Sequence, residues 1–92
     1  MRSTSELADE VELKAALASR INELVASRGM SQREAAEKIG TTQPKISQIR
    51  HYRLGNISVG RLSQALVALE QRIDIRIRPS ELSASPSVSV AA

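Results

Sequence analysis

The chain holds one histidine, His51, no cysteine and a handful of carboxylates, so its chemical repertoire is narrow. Without cysteine there is no disulfide scaffold, no thiolate zinc site and no sulfur nucleophile, and one histidine cannot build an imidazole cluster. Glu6, Asp9, Glu10 and Glu12 crowd together as the carboxylates of an acidic active site would. In the first turns of a helix, however, such residues complement the dipole and stay hydrated. His51 falls near the end of a short helical segment, where the dipole favours an exposed imidazole. No nucleophile stands beside a base in a catalytic pattern, which predicts a protein that is not an enzyme and uses no cofactor and no metal.

The remaining chemistry is positive charge, and it is concentrated. The net charge is +3 and the isoelectric point about 10.0. Residues 1–27 set Arg2, Lys14 and Arg20 against Glu6, Asp9, Glu10, Glu12 and Glu23, leaving −2. Residues 28–61 set Arg28, Arg33, Lys38, Lys45, Arg50, Arg53 and Arg61 against Glu34 and Glu37, leaving +5. The last third balances, with Arg72, Arg76 and Arg78 against Glu70, Asp74 and Glu81. A single basic stretch between neutral or acidic ones is the footprint of a nucleic-acid contact surface.

The elements that must position these charges follow from length and periodicity. Ninety-two residues make one small domain. Hydrophobic residues are 41% of the chain but Tyr52 is its one aromatic, so the core is aliphatic and most simply helical. No apolar run reaches the length of a membrane span and none resembles a signal peptide, which predicts a soluble, cytoplasmic protein with no membrane partner. A first helix is expected from about Glu6 to Arg28, with Leu13, Leu17, Ile21, Leu24 and Val25 on one stripe that Leu7 and Val11 extend weakly. Gly29 ends it. Ser31-Gln32-Arg33-Glu34 reads as a capping box opening a short second helix to Ile39, with Ala35, Ala36 and Ile39 inward and Gly40 as its stop. Thr41-Thr42 offers the next cap, and Pro44 is tolerated in the first turn of a third helix from about Gln43 to His51, with Ile46 and Ile49 inward. Tyr52 to Asn56 reads as a turn. Ser58 caps a fourth helix carrying Leu62, Leu66 and Leu69, with Ile57 and Leu62 as a hydrophobic staple.

The period then changes from helical to alternating. Ile73, Ile75 and Ile77 alternate with Asp74, Arg76 and Arg78, which predicts a short strand at about 72–78 ended by Pro79. A lone strand in a helical chain leaves its ladder unpaired, so it is expected to pair with a second copy of itself. The domain therefore spans 1–79, and the Ser/Ala/Val-rich stretch 80–92 reads as a disordered tail.

Two short helices joined by a glycine turn, the second headed by polar residues, form a helix-turn-helix. Ala36 is small where the helices must cross, Gly40 supplies the sharp turn, and Ile46 and Ile49 lock the crossing. Gln32-Arg33-Glu34-Ala35-Ala36-Glu37-Lys38-Ile39-Gly40, followed by Thr42-Gln43-Pro44-Lys45-Ile46-Ser47-Gln48-Ile49, resembles the Xre/Cro-type helix-turn-helix. With the isoleucine-rich segment Ile73-Asp74-Ile75-Arg76-Ile77, the likeness over residues 13–79 is greatest to the HigA-like antitoxins of RelE-superfamily toxin–antitoxin pairs. Arg50 departs from the pattern, since many relatives have Glu there.

The resemblance implies a mainly α, four- to five-helix, lambda-repressor-like domain with one short C-terminal strand. It places the third helix in the major groove of double-stranded DNA. Gln43 then becomes the first candidate for reading bases, because an amide pairs bidentately with adenine, and Lys45, Ser47 and Gln48 on the same helix are candidates for reading guanine or approaching phosphates. Gln32 is expected on a phosphate and as a brace for Gln43, while Arg33, Arg50, His51, Arg53 and Arg61 are expected to set position on the backbone. The family reading adds a homodimer on an operator with two half-sites, joined through Ile73, Ile75 and Ile77. It also adds a small basic ribonuclease toxin of the RelE/HigB-like kind as a partner, the chain repressing its own operon. A stand-alone Xre-type repressor without a toxin is the alternative.

Overall fold

A computed structural model describes residues 4–79, with side chains from Asp9 onward. Four helices follow one another: α1 (Thr4–Ser27), α2 (Gln32–Ile39), α3 (Gln43–Arg50) and α4 (Val59–Ala68). The long α1 packs against α4, and the short α2 packs against α3. Contacts of α1 with α3 and of α2 with α4 close the bundle. The main core joins Leu17, Ala18 and Ile21 of α1 to Leu62, Ala65 and Leu66 of α4, with Ile49, Leu54, Ile57 and Leu69 filling the gaps. A smaller cluster of Ala35, Ala36 and Ile46 lies between α2 and α3. Val25, Met30 and Ile39 touch both clusters and make them continuous. Burial of aliphatic side chains is the term that holds so small a domain together.

Local signals set the helix starts where the sequence puts them. Ser31 Oγ accepts from the Glu34 N–H at 3.1 Å, and the Ser31 N–H donates to Glu34 Oε1 at 3.1 Å, so the capping box is complete. Thr42 and Ser58 cap α3 and α4 in the same way, by accepting from the Lys45 and Arg61 N–H groups.

The helix ends are less legible. α1, α3 and α4 close with the same pair of backbone bonds, in which the second and third residues past the end of the helix fold back on its last turn. At the end of α2 the Gly40 and Thr41 N–H groups both donate to the Ala36 carbonyl. Gly29 (φ +61°) and Gly40 (φ +81°) supply the left-handed residue for α1 and α2. Tyr52 (φ 57°) and Glu70 (φ 60°) supply it for α3 and α4, without the freedom of glycine. A non-glycine residue pays about 1 kcal/mol or more for that conformation. Each of the two is held by its side chain: Tyr52 Oη lies 3.1 Å from Ser19 Oγ, and Glu70 pairs with Arg28 and Lys38.

Two expectations need correction. Among the described residues there is no strand: Gln71–Pro79 carries no regular element, and Ile75 and Ile77 are 84% and 95% exposed. The physical reason is that a ladder needs two strands, and the described residues offer this segment no partner. Val11 does not join the core stripe, being 66% exposed, because it sits at the far edge of the helix face that Leu13, Leu17 and Ile21 define. The helix count is four among the described residues, within the expected four to five. The expected tail, 80–92, and the side chains of Glu6 and Leu7 lie outside the described residues.

Candidate nucleic-acid interface

Burying Ile46 and Ile49 fixes how α3 is rotated and thereby what it shows to solvent. Gln43, Pro44 and Arg50 are exposed and Lys45, Ser47 and Gln48 are half-buried, so all four expected base readers keep access to solvent. Asn22 Nδ2 donates to the Ile49 carbonyl at 3.2 Å, tying α1 to the last turn of α3. Past that turn, the Arg53 N–H donates to the Gln48 carbonyl at 2.8 Å, which presses the following loop against the helix.

Two shallow grooves flank α3. One, between α1 and α3, is lined by Gln32, Arg50 and Tyr52 among others. The second, between the α2–α3 turn and α4, is lined by Thr42, Lys45, Asn56 and Arg61. The structure therefore brings Gln32 and Arg50 together on one flank and Lys45 and Arg61 on the opposite flank. Arg33, His51 and Arg53 line neither groove; all three are exposed.

Charge pairing separates the cations more sharply than position does. Arg33 Nε lies 3.3 Å from Glu37 Oε1. Arg28 Nη1 and Lys38 Nζ lie 3.3 Å and 3.1 Å from the two oxygens of Glu70. Arg28 Nη2 also donates to the Leu69 carbonyl at 2.6 Å. These contacts, with the Lys38 ammonium foremost, hold the Glu70 carboxyl below its ordinary pKa. By contrast, no carboxylate lies within ion-pair distance of Lys45, Arg50, Arg53 or Arg61 among the described residues. Within the basic stretch 28–61, the cations left without a carboxylate among the described residues are those beside α3, available to phosphates.

Some side chains behave differently from expectation. Gln32 is half-buried and makes no hydrogen bond to Gln43, so the expected brace is not formed. A different one is present: Gln48 Nε2 donates to Asn56 Oδ1 at 3.0 Å. Asn56 was not among the sequence candidates, because nothing in a polar turn signals which side chain will reach a helix eight residues back. Tyr52 was equally hidden; its bond to Ser19 lowers its phenol pKa from the ordinary value. Lys14 was read only as charge, yet its Nζ donates to the Leu54 carbonyl at 3.1 Å and fastens the α3–α4 loop.

Two short helices crossing over Ala35 and Ala36, with a polar outer face on the second and unpaired cations on both flanks, define a helix-turn-helix DNA-binding domain. A family model described as a helix-turn-helix domain matches residues 3–78, and the chain belongs to that family. It is also 40% identical to a solved structure named as an XRE-family transcriptional regulator, covering 92% of this chain and 97% of that one with a TM-score of 0.87. The chain is thus an XRE-family helix-turn-helix protein. A search of curated proteins finds no significant match. No described helix is long and apolar enough to cross a membrane.

Proposed function

We propose that the chain represses transcription by binding a specific operator as a homodimer, with α3 of each copy in the major groove of one half-site. The observation that carries this reading is the polar outer side of α3 with Lys45, Arg50, Arg53 and Arg61 beside it, free of carboxylates among the described residues. Gln43, Lys45, Ser47 and Gln48 read bases. Gln32, Arg50 and Arg61 line the flanks and position the backbone, and Arg33, His51 and Arg53 add exposed charge. The activity is binding, not catalysis, and its place is the cytoplasm.

One helix-turn-helix unit spans only a few base pairs, so specificity calls for two units. The exposed Ile73, Ile75 and Ile77 supply an apolar edge whose backbone gains a ladder only from a second copy. Selection of duplexes from a randomised pool, with the mass of the complex measured by light scattering, tests both parts together. A two-fold symmetric consensus bound by two chains is expected. Binding that is equal for all duplexes rules out the reading.

A narrower role as the antitoxin of a small basic ribonuclease is favoured by the exposed Val11 and Glu12 on α1, where an acidic, partly apolar surface would attract a cationic partner. Co-expression with the neighbouring gene decides between this and a stand-alone repressor: a basic protein that co-purifies with the chain, and is toxic without it, establishes the antitoxin.

A further inference from the structure

We infer that Asn56, outside the helix-turn-helix itself, is a positioning residue that makes Gln48 select adenine over guanine. The inference rests on α3 being the reading helix, as proposed above. A glutamine amide carries two N–H donors and one acceptor oxygen. Free to turn, it can offer a base either two N–H groups or an acceptor and a donor. Guanine presents two acceptors, N7 and O6, to the major groove, whereas adenine presents the acceptor N7 beside the N6 donor. In this structure one N–H of Gln48 is taken by Asn56 Oδ1 at 3.0 Å. What remains is one donor and one acceptor, the complement of adenine. The two-donor pattern that guanine requires is blocked.

The bond can hold Gln48 only if Asn56 is itself held, and it is. Asn56 lies between two buried anchors, Leu54 and Ile57. The Ile57 N–H donates to the Leu54 carbonyl at 3.1 Å, closing the turn that contains it, and Lys14 Nζ binds the same carbonyl at 3.1 Å. At its other end, Gln48 is fixed by the burial of its neighbour Ile49 and by the Arg53 N–H on its own carbonyl. Asn56 is otherwise exposed, makes no second side-chain hydrogen bond, and so carries no evident structural duty beyond this one. Asn56 lines the groove that holds Lys45 and Arg61.

The test is a double-mutant cycle on the full chain, using the selected duplex with each of the four base pairs at every position of one half-site. The wild type prefers adenine to guanine at one position, and Gln48→Ala removes that preference, which identifies the position. Asn56→Ala is expected to lower the adenine-to-guanine ratio there by about fivefold, the worth of one hydrogen bond. It leaves the preferences at other positions and the thermal midpoint unchanged. In the Gln48→Ala background Asn56→Ala changes nothing further. Asn56→Asp keeps the acceptor and therefore the ratio, while its charge weakens binding to every duplex. The inference is overturned if Asn56→Ala weakens all duplexes alike, if its effect persists without Gln48, or if Gln48 prefers guanine in the wild type. Loss of all sequence preference in the wild type would instead remove the DNA-reading proposal beneath it.

Discussion

Arg28 and Lys38 both reach Glu70, and Arg33 reaches Glu37, whereas Lys45, Arg50, Arg53 and Arg61 face no carboxylate among the described residues. The first group sits on the framework, at the end of α1 and along α2. The second surrounds the exposed face of α3. All seven belong to the same basic stretch of sequence, so composition cannot tell them apart. A framework cation already has a protein carboxylate beside it, and a phosphate must compete with that partner. A free cation has no such competitor and can displace counterions from DNA directly. The same residue type therefore holds the fold in one region and binds the ligand in the other.

Breaking the framework has the largest expected effect. Leu62 of α4 is fully buried in the core that α4 shares with α1. Leu62→Ala should cost about 2–5 kcal/mol of stability in chemical denaturation, a large part of the whole for so small a domain. Its effect on DNA binding should vanish when binding is corrected for the unfolded fraction. A loss of affinity beyond that correction would show that the two regions are not separable.

Next comes the reading face. Gln43→Ala should leave stability unchanged and cost about 1–3 kcal/mol on the selected duplex, with little change on a scrambled one. Equal losses on both duplexes in gel-shift titrations would remove Gln43 from base reading.

The cations sharpen the comparison directly. Arg53→Ala should weaken selected and scrambled duplexes alike and reduce the slope of log affinity against log salt by about one. Arg33→Ala, whose guanidinium already has Glu37, should change that slope by less. A larger change for Arg33 than for Arg53 would mean that pairing in the free protein does not predict phosphate contact.

The smallest effect is on the framework pair itself. Because the pKa of Glu70 is lowered in the folded chain, its contribution to stability is present above the ordinary value of 4.5 and is lost as pH falls through the lower, folded value. Glu70→Gln should therefore lower the thermal midpoint at pH 7 and leave it like the wild type in strong acid. The group is exposed, so the difference is small and shrinks in high salt. A difference that grew on acidification would contradict the assigned sign.

Much of the helix-turn-helix was legible because its signals are local. Ser31 with Glu34, Thr42 with Pro44, and Ser58 mark three helix starts, and Gly29 and Gly40 mark two helix ends, each within one turn of chain. The other two ends were not marked, because Tyr52 and Glu70 carry no intrinsic preference for a left-handed backbone. They adopt it where Ser19, Arg28 and Lys38 wait on other elements. The alternation of Ile73, Ile75 and Ile77 was read as a strand, yet alternation reports which side chains share a face and says nothing of a partner for the backbone. Among the described residues that partner is missing.

By itself, then, the sequence determined the order of the four helices, their apolar faces and the confinement of excess positive charge to residues 28–61. Each of these depends on residues a few positions apart, where spacing alone sets which side chains meet. Only the tertiary structure decided which cations remain free and which amide braces Gln48. The contacts of Glu70 with Arg28 and Lys38 span 42 and 32 residues, and Lys14 reaches Leu54 across 40. Side chains so far apart in sequence meet only after α1, α2 and α4 have packed around the core, and packing is governed by the shape of that core, not by the charges it carries along.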